Sequence, residues 1–251
     1  MLSKATIKFI KSLQVKKYRK QEQCFLIEGG KSVEELLGSD FEVEKIIATT
    51  EFLSSLKRPV RGEVIEVAGS ALGGLGSFQT NRTALAVARL KPNERPLVSA
   101  TAYALALDDI RDPGNLGTII RTADWYGIQH IIASAETADF YNPKVITATM
   151  GSFTRVHIYY CDLRAYLSGI KTPVYGAFLE GTNVHHVRFG SGGVILIGSE
   201  SHGISADLSV LVTQKVTIPR YGRAESLNAS IATAVILDNV RRASLAGVGS
   251  R

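Results

Sequence analysis

The sequence predicts an α/β protein: a mainly parallel sheet covered by helices on both faces, preceded by a small α/β domain. Three observations lead there. Short apolar runs alternate with helical patterns along nearly the whole chain. Beyond residue 97 those runs are almost continuously apolar, as expected of strands buried on both faces. Between the two parts lies Lys91-Pro92-Asn93-Glu94-Arg95-Pro96, a polar segment with two prolines that reads as a linker. The expected division is therefore a domain over 1–90, a linker over 91–97 and a domain over 98–251. There is no internal repeat and no low-complexity segment.

The elements follow in order. Ile7, Ile10, Leu13 and Val15 fall roughly at helical spacing among lysines, which predicts a basic amphipathic N-terminal helix. Phe25–Ile27 reads as a strand, and Lys31–Leu37 as an amphipathic helix closed by Gly38. Lys45–Ala48 is a strand, Glu51–Leu56 a short helix, and Glu63–Val67 and Ala84–Leu90 are strands. In the second domain the strands are Tyr103–Leu107, Ile128–Ala133, Val156–Tyr160, Val174–Phe178, Val194–Ile197 and Val216–Ile218. Helical patterns separate most of them, and a long helix over Ser226–Leu245 follows the last.

Composition excludes several classes. Hydrophobic residues make up 45% and charged residues 21% of the 251 positions, ordinary globular usage that is incompatible with disorder throughout. No stretch approaches the ~18 uninterrupted apolar residues of a membrane span, and no signal-peptide pattern follows Met1. The expectation is a cytoplasmic protein with no membrane contact. Cys24 and Cys161 are too few for a disulfide scaffold, and both lie in or beside apolar runs that suit packed residues better than nucleophiles. No metal site is expected, because the adjacent pair His185-His186 lacks further ligands at suitable spacing.

The net charge of +6 is unevenly placed. Lys4, Lys8, Lys11, Lys16, Lys17, Arg19 and Lys20 precede the first acidic residue, Glu22. Such a segment fits a solvated helix face, a transit peptide or a contact with a polyanion.

Ligands of open α/β sheets gather at the carboxyl ends of strands. Three loops there carry unusual residues. Tyr103–Leu107 runs into Asp108-Asp109-Ile110-Arg111-Asp112-Pro113-Gly114-Asn115, then a helix through Arg121. Pro113-Gly114 forces a turn, Asn115 can cap the helix, and Arg121 can reach back toward a phosphate at the helix start. A capped helix with a surface arginine fits this loop equally well. Val194–Ile197 runs into Gly198-Ser199-Glu200-Ser201-His202-Gly203, whose glycines allow close backbone approach. Val216–Ile218 runs into Pro219-Arg220-Tyr221-Gly222-Arg223-Ala224-Glu225-Ser226-Leu227-Asn228, where Ser226 or Asn228 can cap the final helix. Neither a Walker nor a GxGxxG pattern is present, which argues against a nucleotide enzyme of those kinds.

Together the three loops resemble the signature motifs of the SpoU-type RNA ribose 2′-O-methyltransferases of the SPOUT class. Asn115, Gly117, Arg121, Thr122 and Ala123 meet the first motif, and Gly198, Glu200 and Gly203 the second. Ile218, Pro219, Glu225, Ser226, Leu227, Asn228 and Ser230 meet the third. The segment Met150–Val156 resembles the family's stretch before its third strand. Lys11–Lys20 with Phe25–Gly29 resembles the ribosomal-protein-like substrate-binding domain that precedes many catalytic domains of this family. Two departures stand out: Ser199 where many relatives carry Asn, and Ser201 where Gly is common.

The resemblance implies a trefoil-knot catalytic domain, a homodimer, and S-adenosylmethionine as methyl donor, with its adenine enclosed at Gly198, Ile218 and Leu227. It implies that Arg121 is catalytic and that Asn115, Glu200, Ser226 and Asn228 arrange it and the ribose. The expected RNA contacts are Lys11, Lys16, Lys17, Arg19, Lys20, Arg111, Arg220 and Arg223. Ribosomal RNA is the expected substrate ahead of transfer RNA. An arginine holds its proton too tightly to act as general base, so Arg121 is expected to fix a phosphate and steady the developing alkoxide. The proton would then pass to a phosphate oxygen or water. The competing reading is a non-catalytic RNA-binding or ribosome-assembly factor on the same fold, against which the intact Asn115, Arg121, Glu200 and Asn228 argue.

Overall fold

A computed structural model describes residues 2–246 apart from Arg61 and Phe78. The chain forms two compact units, one of residues 1–92 and 139–155 and one of residues 93–138 and 156–251.

The first unit opens with α1 (Lys4–Ser12), whose start is capped where Ser3 Oγ accepts from the Thr6 N–H at 3.1 Å. Ile10 and Leu13 are fully buried against Leu26, Ile47, Leu72 and Val87, so Lys4, Lys8 and Lys11 are turned outward. After α2 (Lys16–Glu22) come β1 (Cys24–Glu28), α3 (Gly30–Leu37), β2 (Val43–Ala48) and α4 (Thr50–Ser55). Then follow β3 (Glu63–Glu66), α5 (Gly69–Leu72) and β4 (Ala84–Arg89). The strands form a four-stranded sheet in the order β1-β4-β2-β3, antiparallel except for the β2–β3 pair. Cys24 packs inside this core, and burial raises its thiol pKa, as suits a packed residue.

The second unit contains β5 (Tyr103–Leu107), α6 (Pro113–Trp125) and β6 (His130–Ala133). Next comes the 139–155 segment with α7 (Pro143–Ala148), which belongs to the first unit. The chain returns with β7 (His157–Tyr160), α8 (Leu163–Ser168), β8 (Val174–Asn183), β9 (Gly193–Ile197), α9 (Ala206–Ser209), β10 (Gln214–Thr217) and α10 (Ala229–Ala246). Its six-stranded sheet has the order β10-β8-β9-β5-β6-β7, and every neighbouring pair is parallel. Alternate residues of a strand face opposite sides. Ala104, Ala106, Val194 and Leu196 pack with α8 and α9, while α6 and α10 pack together elsewhere in the unit. The sheet grows outward from β5 and β9 in opposite directions, so the loops leaving these two strands emerge side by side. Among the described residues no helix is long and apolar enough to cross a membrane.

Two expectations need correction. Segment 139–155 was expected in the second domain, but its aromatic residues complete the core of the first unit. Phe25 meets Tyr141 and Phe153 at ring-centroid distances of 4.7 and 6.1 Å, and the Lys91 N–H donates to Tyr141 Oη at 2.9 Å.

Arg19, expected on the RNA face, is only 2% exposed. Its Nη1 donates to the carbonyls of Leu13 and Gln14, each at 2.9 Å, and its Nη2 pairs with Asp139 at 2.6 Å. A planar fork can satisfy three acceptors at once, which explains an arginine at this position among lysines. Arg19→Ala is expected to lower stability by about 3 kcal/mol, near the lower end for breaking a buried pair because Asp139 stays partly exposed. Thermal unfolding of the purified variant measures this, and a change under about 0.5 kcal/mol, the usual scale for surface substitutions, would contradict it.

Candidate active site

The site is assembled on the three loops at the carboxyl ends of β5, β9 and β10. The turn after β5 is anchored from below. The buried Asp108 accepts from the Ser205 N–H at 2.8 Å, tying this turn to the chain beyond the β9 loop. Its own N–H donates to the Ile197 carbonyl at 2.9 Å. Asp109 adopts the left-handed region with φ of 59°, and its N–H donates to Ser134 Oγ at 3.0 Å.

Asp112, rather than Asn115, caps α6: its carboxylate accepts from the Asn115 N–H at 2.8 Å, with Pro113 in the first turn. Since capping falls to Asp112, the Asn115 carboxamide is free to bond elsewhere. Its Nδ2 donates to Glu200 Oε1, and its Oδ1 accepts from Asn228 Nδ2 at 2.9 Å. Asn228 Oδ1 in turn accepts from the Ser230 N–H at 2.9 Å and Ser230 Oγ at 2.6 Å, capping α10. A carboxylate only accepts, so Glu200 fixes the orientation of the Asn115 amide, and that fixes Asn228. One directed hydrogen-bond chain thus joins all three loops. Ser226 takes no part in the cap.

The β9 loop is closed by backbone. A Cβ on Gly198 would lie 2.1 Å from the Gly203 carbonyl carbon. Ser199 bridges Gly203, whose φ of +67° lies in the left-handed region. Ser201 Oγ and His202 Nδ1 lie 2.8 Å apart.

Beside these loops opens a cleft of about 840 Å³. Gly198, Ile218 and Leu227 all line it, together with Glu200 and Ser226. Ile197, Val216 and Ile236 add apolar surface. Arg121 does not line the cleft. It sits exposed on α6 in one stripe with Gly114, Thr118 and Trp125, and has no hydrogen-bond or ion-pair partner among the described residues.

The remaining candidates are spread out. Lys11, Lys16, Lys17 and Lys20 are exposed in the first unit. Arg111 is exposed but paired with Asp109 at 2.6 Å, and that carboxylate raises the guanidinium pKa further. Arg220 reaches the Ala224 carbonyl at 3.4 Å, and Arg223 is exposed on the same loop. Burial pushes the Cys161 thiol up to about 11, which suits a packed residue. His185 lies beside Asn239, with Nδ1 and Oδ1 3.0 Å apart. Among the described residues there is no group of three or more His, Cys, Asp or Glu able to hold a metal.

The anchoring roles of Asp108 and Asp112 escaped the sequence reading. The Asp-Pro pair at 112–113 is an ordinary helix-start signal and could have revealed the second.

Residues 102–238 match the family described as SpoU rRNA Methylase. The chain belongs to this family. Residues 4–86 match the MRM3-like substrate binding domain. A relative in Bacillus subtilis, the 23S rRNA (guanosine(2553)-2′-O)-methyltransferase RlmP, is 30% identical over 94% of this chain and 95% of its own length. A solved structure from Porphyromonas gingivalis, assigned to the TrmH family of RNA methyltransferases, superposes with a TM-score of 0.88 at 37% identity, covering 96% of this chain and 99% of its own. The SpoU methyltransferase AviRb from Streptomyces viridochromogenes, solved in complex with AdoMet, gives a TM-score of 0.85 at 25% identity, covering 97% of this chain and all of that one (100%). The α/β fold with its parallel sheet and N-terminal domain is that of this SpoU family.

Proposed function

We propose that this SpoU-family enzyme transfers the methyl group of S-adenosylmethionine to a ribose 2′-hydroxyl of ribosomal RNA. The observation that carries the reading is the directed chain Glu200–Asn115–Asn228, which couples three motif loops at the rim of one partly apolar cleft. The 23S rRNA activity of the B. subtilis relative favours ribosomal over transfer RNA.

The residues present fit the cofactor. Ile197, Val216, Ile218 and Leu227 give apolar surface for a flat heterocycle, and Glu200 offers carboxylate oxygens to hydroxyls. Gly198 keeps the wall thin where the backbone folds back on itself. When bound, the cofactor supplies a methyl group already activated by positive charge on sulfur. The chain must then orient the attacking hydroxyl, and such positioning is worth up to about 7–11 kcal/mol. Asn115 and Asn228 are locked by their mutual bond and hold the first and third loops in register. Arg121, with no acceptor of its own, presents its N–H donors to the RNA backbone and steadies negative charge on the attacking oxygen. The hydroxyl proton passes to a phosphate oxygen or to water.

The outward lysines Lys11, Lys16, Lys17 and Lys20 suit phosphates of a folded RNA. Replacing all four by glutamine is expected to flatten the dependence of log affinity on log salt by roughly 0.7–0.9 for each phosphate no longer neutralised. RNA-binding titrations at several salt concentrations measure it, and an unchanged slope rules these lysines out. Homodimerisation, a trefoil knot and residence in the cytoplasm complete the proposal, on the strength of the family resemblance.

The test is transfer of label from S-adenosylmethionine to unmodified ribosomal and transfer RNA, with products mapped by resistance to alkaline cleavage. Label at alkali-resistant ribosomal positions is expected. Bound cofactor with no transfer to any RNA or ribosomal particle overturns the enzymatic reading in favour of a binding factor.

A further inference from the structure

We propose that Tyr221 is a stacking platform for an unpaired base of the RNA beside the reacting ribose. The inference rests on the proposed function and adds a residue that determines how the substrate is held.

Tyr221 lines the cleft yet is 92% exposed, so its ring packs against almost nothing in this chain. A large aromatic side chain left bare loses the burial that would ordinarily keep it in place, and Tyr in such a setting is typical of a contact surface. Two other large exposed apolar side chains, Leu179 and Leu227, also line this cleft, but neither is aromatic, whereas the exposed Tyr18 and Trp125 lie away from it.

Its neighbours define the chemistry of the partner. Arg220 and Arg223 lie on the same loop as Tyr221, both exposed and neither in an ion pair among the described residues; Arg220 makes only a long hydrogen bond to the Ala224 carbonyl. A bare ring on a loop that also carries two exposed arginines matches single-stranded nucleic acid, in which bases stack on aromatic faces while phosphates pair with arginine. An acidic peptide would use the arginines but leave the ring idle. Tyr221 and Asn228 belong to one loop, and Tyr221 lines the same cleft as Glu200, so the proposed base site and the hydrogen-bonded chain share that cleft.

The test compares Tyr221→Ala, Tyr221→Leu and Tyr221→Phe in the full-length protein. It uses steady-state transfer to the RNA that the wild type methylates, calorimetric titration with S-adenosylmethionine, and sedimentation. Stacking is worth enough that Tyr221→Ala and Tyr221→Leu should each raise KM for RNA about tenfold or more, while Tyr221→Phe stays near wild type. Cofactor affinity and oligomeric state should not move, since the proposal assigns the ring to the RNA alone. An unchanged KM in Tyr221→Ala overturns the proposal. So does Tyr221→Leu matching Tyr221→Phe, because apolar contact alone would then suffice. A cofactor affinity that falls as much as KM rises would reassign the ring to the cofactor, and a change in oligomeric state would reassign it to a second copy. Failure of the wild type to methylate any RNA is a separate result, and it counts against the proposed function itself.

Discussion

Arg121→Ala is expected to lower kcat for methyl transfer by about 10²–10³-fold, the usual effect of removing one donor aimed at developing negative charge. Cofactor affinity should be unchanged, because Arg121 is not part of the cleft wall. Its exposure makes a stability effect equally unexpected, and no carboxylate among the described residues holds it. The position nevertheless has a geometric rationale. Gly114, Thr118 and Arg121 share the exposed stripe that leads back to the start of α6, where Asp112 caps the helix and Asn115 joins the loops together. A phosphate near that helix start would meet the Gly114 N–H and the guanidinium together, the Asn115 and Leu116 N–H groups being bonded to Asp112. Arg121→Lys keeps the charge but loses the fork, so it should recover only part of the rate. Single-turnover kinetics at saturating cofactor would separate this from a defect in RNA binding. Near-full turnover by the lysine variant would show that bidentate geometry is irrelevant, and the role assigned to Arg121 would fail.

Much of this architecture was legible because the second unit follows its hydrophobic pattern closely. Tyr103–Leu107 and Val194–Ile197 are apolar at every position, and both lie at the centre of the parallel sheet with both faces covered. The three loops then follow from the tendency of ligands to collect at strand ends. What was not legible depends on partners distant in sequence. Nothing local in 139–155 shows that Tyr141 and Phe153 belong with Phe25, since those rings meet only after the chain has folded. Arg19 looks like one more cation in a basic run, and only the distant Asp139 reveals it as an interior residue. The apolar pattern of β8 ends at Phe178, yet the strand continues to Asn183 after a register shift opposite Lys215 and Val216. The extension carries Thr182 and other exposed residues that break the apolar pattern, so periodicity had no purchase on it. Asn115 was a reasonable capping candidate. Asp112 took that role because Pro113 starts the helix earlier, leaving Asn115 for the site.

Gly198→Ala is the second change expected to have a large effect, and for a different reason. The added methyl would lie 2.1 Å from the Gly203 carbonyl carbon and 2.2 Å from the Ile204 nitrogen, both backbone atoms. A flexible side chain could swing away, but here the loop itself must open. Opening breaks the Ser199–Gly203 bridge and pulls on Ile204 in the core and on the Ser205 N–H held by Asp108. A stability loss of about 1–3 kcal/mol is expected, the scale of overpacking strain. The greater loss should be in cofactor binding, because the same loop carries Glu200 on the cleft rim. Gly203→Ala makes the instructive comparison. A Cβ there meets nothing within 4 Å, so its cost comes only from the φ of +67° and should be about 1–2 kcal/mol. Gly203→Asn should recover part of that cost, since asparagine enters the left-handed region more readily. No such rescue is open to Gly198, where the obstacle is space rather than conformation. Calorimetric titration of the two alanine variants with S-adenosylmethionine, alongside their unfolding curves, measures both effects. If Gly198→Ala bound the cofactor within about twofold of wild type, a difference under about 0.4 kcal/mol, the close backbone approach would have no part in shaping the site.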